Sequence, residues 1–254
     1  MWLFDTDGGL QGGMLVAHVM FAVMWMGLLW FFNFVQVPAY AEMEAGARNS
    51  ALDKVTWRAL WWFRHGAWMT VASGLLTMVI VGFDDDGYSG DYFKSPSGGM
   101  LAAAILFSVI MLYNVWMVIW PNQQIVIGNA RKVAAGGEAD PAAPAAARKA
   151  ALASRQNMIF SFTVFLGMVG ASNFFGGYVA DTDDRLPSAG IRVLFYIFVL
   201  AYAGVMEANA LGVFGTEAGK TNTWMYDKHQ NAIYFASASI VFWVLFFEIF
   251  VGTL

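Results

Sequence analysis

The chain has 254 residues, of which 59% are hydrophobic, 17% aromatic and only 13% charged. A soluble domain carries roughly 25% charged residues, so this composition predicts a lipid-embedded protein. A net charge of −4 gives no basic footprint for nucleic acid, and the lack of cysteine excludes disulfides, thiolate metal sites, iron–sulfur clusters and CxxCH haem attachment.

The N-terminal MWLFDTDGGLQGG has no basic region and includes Asp5 and Asp7. It is therefore not expected to be a cleaved signal peptide, and the first apolar stretch should stay in the membrane. Crossing the hydrocarbon core takes about 20 apolar residues. Six stretches qualify, near 12–37, 58–82, 98–120, 157–179, 189–214 and 230–253. Helices are the expected form, because lipid leaves unpaired backbone groups unsatisfied. The fold class to expect is an all-α integral membrane protein, a single bundle of about six transmembrane helices.

Positive charge sets the orientation. Arg48, Lys54 and Arg58 follow the first span, Arg131, Lys132, Arg148, Lys149 and Arg155 the third, and Lys220 and Lys228 the fifth. The alternate loops have Lys94 and Arg185, with Arg192 just inside the fifth span, and are rich in aspartate: Asp84, Asp85, Asp86, Asp91, Asp181, Asp183 and Asp184. Both termini are expected outside and the basic loops inside, in a multi-pass protein of a bacterial inner membrane.

Ala39–Val55 reads as a short surface helix after Pro38, and Trp57, Trp61, Trp62, Trp116 and Trp120 mark the inner interface. The Ala/Gly/Pro-rich stretch within 131–153 reads as a flexible cytoplasmic linker, with a helix possible from Pro141.

The polar residues inside the spans are the candidate site. In the first span His18, Trp25 and Gln36 return to one helical face, with Asn33 beside it, and that face should point into the bundle. Arg64 and His65 lie toward the inner end of the second span. Glu207 in the fifth is a costly membrane carboxylate, with Arg64 or His229 as expected partners. Glu207, Arg64, Asn33 and Gln36 would form an inward proton or substrate path. His18, His65 and His229 are the only histidines, and so the candidate haem ligands. His18 and His65 differ in depth by on the order of 15 Å. A simple His18–His65 pair is then a poor ligand set; His65 with His229 is better matched in depth, though His229 lies near the membrane edge, and His18 alone or with a methionine is a further option.

The segments AHVMFAVMWMGLLWFFNFVQVPAYAEM, RALWWFRHGAWMTVASGLL and NVWMVIWPNQQIVIG resemble the integral-membrane domain of the bacterial membrane-bound urate hydroxylase family. The resemblance covers about residues 12–130 and places His18 at that family's first-span histidine. It implies a membrane protein linked to electron transfer, with oxidation of urate to 5-hydroxyisourate as the family activity. Family members acting on urate carry a CxxCH cytochrome c domain. This chain has no cysteine, so a cytochrome c partner would be a separate subunit. The expected function is a membrane subunit of an electron-transfer or oxidoreductase complex, with haem b as its cofactor. The alternatives are a non-catalytic structural or assembly subunit of a larger membrane complex, and a small proton-coupled transporter using Glu207.

Overall fold

The computed structural model describes residues 8–81, 92–173 and 188–250, with backbone alone at residue 172 and residues 248–250. The aspartates between the second and third spans and between the fourth and fifth lie outside the described residues, as do Asp5, Asp7, Arg185 and the side chain of Glu248.

Among the described residues the regular structure is all helical. There are six long helices: α1 (Gly9–Glu42), α2 (Trp57–Val81), α3 (Pro96–Ala134), α4 (Ala143–Asn173), α5 (Ala189–Ala210) and α6 (His229–Phe250). By length and composition α1, α3, α5 and α6 are apolar enough to cross a bilayer. Their outward faces carry large exposed apolar side chains, such as Val16, Met20 and Val23 on α1 and Val193, Leu194 and Ile197 on α5. Surfaces of that kind are rare on a monomer in water.

The less apolar two have a physical reason to be so. The central helix α4 packs against α1, α3, α5 and α6 and buries Arg155, Gln156, Asn157, Ser161 and Thr163. Where these groups sit, protein surrounds the helix, and Arg155, Asn157 and Ser161 meet hydrogen-bond partners rather than lipid, whereas Thr163 Oγ1 and Gln156 Nε2 have none. Helix α2 pairs with α1 through small and hydroxyl residues, burying Gly66, Ala67, Thr70, Ser73 and Thr77.

Neighbouring helices run antiparallel. Along α1, His18, Trp25 and Phe32 meet Gly74, Gly66 and Phe63 in descending order on α2. Gly167 and Phe160 of α4 likewise meet Ala104 and Phe107 of α3. Phe195, Phe198 and Tyr202 of α5 meet Phe246, Phe242 and Ser239 of α6. Trp243, Phe107 and Phe160 close an aromatic core between them.

Two helices run further than the sequence reading placed them. The first and third spans were expected to end at Pro38 and Pro121, but α1 reaches Glu42 and α3 reaches Ala134. In both, a six-residue π-helical turn ends two residues before the proline: Phe31–Gln36 and Asn114–Ile119. Proline lacks an N–H, and its ring collides with the carbonyl four residues back. A widened turn moves that carbonyl and lets the helix continue. Asn33 Nδ2 donates to the Leu29 carbonyl at 2.9 Å, satisfying an acceptor beside the irregular turn. A third π-turn, Leu52–Thr56, joins a short helix Ala45–Ala51 to α2.

The expected linker contracts to residues 135–142. Asn129 Oδ1 accepts from the Asp140 N–H at 2.7 Å, and Asp140 Oδ1 from the Ala142 N–H at 2.8 Å. Ala143, Ala146, Ala150 and Ala153 are then buried in the first turns of α4.

The α3–α4 contact is set by Gly167. A Cβ there would lie 2.7 Å from Ala104 Cβ and 2.9 Å from the Met100 carbonyl oxygen. Small residues permit this close backbone approach. Gly167→Val is expected to cost about 1–3 kcal/mol by overpacking, seen as a lowered detergent melting temperature. Gly128→Val in α3, where a Cβ meets nothing within 4 Å, is the control.

Candidate functional site

His18 stands where α1 crosses Thr70–Gly74 of α2. Its Nδ1 lies 2.8 Å from the Thr70 carbonyl oxygen, with Ser73 Oγ at 3.4 Å. A carbonyl only accepts, so the ring proton is assigned to Nδ1. Nε2 then keeps its lone pair, and no protein group occupies it. Gly74 makes the fit possible, since a Cβ there would lie 2.8 Å from His18 Cε1.

The ring borders a cavity of about 360 Å³ between α1, α2, α3 and α4, within the range of small-molecule and cofactor sites. Its lining is mostly aliphatic, with three methionines, Met26, Met78 and Met168, and only a few hydroxyls. A neutral imidazole with a carbonyl-locked Nδ1 and a free Nε2 is the usual state of a histidine ligand to a metal. The donor set therefore fits a haem iron: His18 Nε2 would bind it, and Met26, Met78 and Met168 put thioethers among the lining residues.

The other two histidines do not join it. His65 sits among tryptophans, with ring centroids 4.3 Å from Trp61 and 5.7 Å from Trp116. Trp68 Nε1 donates to His65 Nδ1 at 3.0 Å. An indole can only donate, so the lone pair of His65 is used and its proton lies on Nε2. His229 starts α6. No group of three or more His, Asp or Glu that could hold a metal ion occurs among the described residues.

The polar residues expected to form one path divide into separate groups. Gln36 Oε1 accepts from Thr56 Oγ1 at 3.1 Å, and Tyr40 completes that contact. Asn33 turns instead to α4, donating to Ser154 Oγ at 3.0 Å and accepting from Arg155 Nε at 3.1 Å. The π-turn that carries both residues explains why they part, since it breaks the 3.6-residue phase on which the common face rested. Arg64 does not pair with Glu207. Its guanidinium lies 3.8 Å from the centroid of Trp120 and 5.5 Å from that of Trp116. Glu207 Oε2 accepts from Asn114 Nδ2 at 2.9 Å, and the same amide reaches Asn157 Oδ1 at 3.0 Å. His229 does not bond it either.

Three residues with large structural roles were not singled out as site candidates. Arg155, counted as a loop charge, is only 6% exposed and donates to Asn33 Oδ1 and the Tyr226 carbonyl. Burial pushes the Tyr226 hydroxyl above the ordinary phenol range, so it stays protonated and donates to Gln156 Oε1. Asn114 lies in the quoted NVWMVIWPNQQ segment, where nothing local set it apart.

These features define a helical protein with four bilayer-length apolar helices and a histidine-bearing apolar cavity. No protein-family model, curated protein or solved structure matches the chain.

Proposed function

We propose that the chain is a six-span subunit of an electron-transfer or oxidoreductase complex in a bacterial inner membrane, both termini outside, holding haem b in the His18 cavity. The observation that carries this reading is the state of His18: Nδ1 fixed on the Thr70 carbonyl, Nε2 free, beside a cavity of about 360 Å³. His18 would bind the iron, the Thr70 carbonyl would orient the imidazole and raise its basicity, and Met26, Met78 or Met168 would supply a second ligand. The aliphatic lining would keep water out. A haem bound there supplies one-electron oxidation and reduction.

The aspartate-rich sequence segments at 84–91 and 181–184 suit a basic cytochrome c partner by complementary charge. The resemblance to the urate hydroxylase membrane domain makes a urate-linked oxidoreductase the specific form of this proposal, with other membrane subunits completing the complex.

The test is a reduced-minus-oxidised spectrum of the purified protein, together with its iron content. A reducible b-type Soret and α band near one haem per chain is expected. A colourless, iron-free protein fully assembled in its native complex overturns the proposal and favours a structural subunit.

A further inference from the structure

Away from the His18 cavity, the π-turn Leu52–Thr56 and the last turns of α3 border an open recess of about 530 Å³, lined by Asp53, Lys54, Trp57, Arg58 and Arg131. Three cations and one carboxylate leave it two positive charges in excess. The carboxylate is already engaged, because Asp53 accepts from Arg131 Nε. Arg131 also stacks on Trp57, 4.5 Å from the ring centroid. That double hold fixes the guanidinium plane and leaves its terminal nitrogens free to donate.

Lys54, in the π-turn, and Arg58, in the first turn of α2, both line the recess. Arg58 Nη1 donates to the Lys54 carbonyl, and among the described residues neither side chain meets a carboxylate. A further cation stands behind the wall. Trp57 packs on Trp120 at 5.2 Å, and Arg64 lies over Trp120. Arg64 also has no acidic partner, and its buried Nε has no acceptor.

The geometry points to a binding site for the phosphate of an anionic phospholipid headgroup. A guanidinium held in one plane suits two parallel hydrogen bonds to phosphate oxygens, and Lys54 adds a point charge. On the membrane reading, the recess would lie at the height of a bilayer surface. Val55, Trp61 and Trp62 beside it are 53%, 44% and 54% exposed, and tryptophans at such positions lie among headgroups. Basic recesses between membrane helices on the inner face take acidic headgroups in this way. The site rests on the reading that α1 and α2 cross a bilayer with this end inward.

The test is native mass spectrometry of the detergent-solubilised full chain with phosphatidylglycerol, phosphatidylcholine or inorganic phosphate added. Preferential retention of one phosphatidylglycerol is expected. Lys54→Gln and Arg58→Gln, at exposed positions that leave the core intact, should each weaken it about fivefold. His18→Ala should leave it unchanged. Equal retention of the two lipids, or no effect of the glutamine variants, overturns the site. Displacement by millimolar inorganic phosphate also overturns it, assigning the recess to a soluble anion. Carbonate extraction of native membranes separates the two failures: a chain released by carbonate refutes the membrane reading, whereas a chain retained without lipid preference refutes the headgroup site alone.

Discussion

If the chain holds haem b as proposed, His18→Ala is expected to remove its b-type absorbance, while His65→Ala keeps it. The two histidines lie on neighbouring antiparallel helices yet differ in the one property a ligand needs. At His18 the hydrogen bond to the Thr70 carbonyl uses the N–H and spares the lone pair. At His65 the indole of Trp68 consumes the lone pair. Alanine at position 18 removes the only histidine lining the cavity. Alanine at position 65 removes a ring from a tryptophan cluster and leaves the cavity lining whole. Gly74→Ala provides an intermediate. Its Cβ, 2.8 Å from His18 Cε1, must displace the ring from the Thr70 carbonyl. Losing such an outer-shell contact typically weakens metal binding by about 10–100-fold. Difference spectra under haem titration read all three variants, and far-ultraviolet circular dichroism checks that each is folded. Retention of the bands in His18→Ala with loss in His65→Ala would place the ligand among the tryptophans.

The helices were legible because long apolar runs have few alternatives in lipid: each expected stretch overlaps a long helix in its described residues, four of the six are apolar enough to cross a bilayer, and the fifth ends at Ala210 rather than 214. Their ends at Pro38 and Pro121 were not, since the usual rule that proline stops a helix holds only while the preceding turn stays α-helical. The π-turns at Phe31–Gln36 and Asn114–Ile119 suspend it, and hydropathy carries no trace of them. The same turns misled the face analysis: His18 and Trp25 keep the expected phase, but Asn33 and Gln36 lie within the widened turn and take different partners. His18 itself was identifiable by scarcity, whereas its tautomer depended on a backbone carbonyl 52 positions away. Arg155 shows the opposite failure. Counting charge near a span end treats every arginine as solvated, and nothing local distinguishes it from Arg148 or Lys149. Its burial follows from where the loop before α6 returns.

Arg155→Met should produce the largest loss of stability among substitutions on the basic side of the bundle. The side chain joins three parts of the chain. Nε reaches Asn33 Oδ1 in the π-turn of α1 at 3.1 Å, and Nη1 reaches the Tyr226 carbonyl before α6 at 2.9 Å. Methionine matches much of the volume but donates nothing, so two buried acceptors lose their partners. Each costs about 1–3 kcal/mol, giving a total of about 2–6 kcal/mol. Arg155→Lys should fall between, because a compact ammonium lacks the fork that spans both acceptors. Tyr226→Phe, which loses the bond to Gln156 and a long 3.4 Å contact with the Met206 carbonyl, should cost less, about 1 kcal/mol. Arg148→Ala should also cost less than Arg155→Met: its contact with Asp227 at 2.9 Å is partly exposed, with side-chain exposures of 26% and 17%, such pairs contribute about 0–1 kcal/mol, and the part-buried bond from its Nε to the Thr216 carbonyl at 2.8 Å adds about 1 kcal/mol. Thermal unfolding of the four variants in one detergent gives the ranking. A wild-type melting temperature for Arg155→Met would mean that the three-way junction adds no stability. The expected order instead makes Arg155 the residue through which α1, α4 and the loop before α6 hold one another in register.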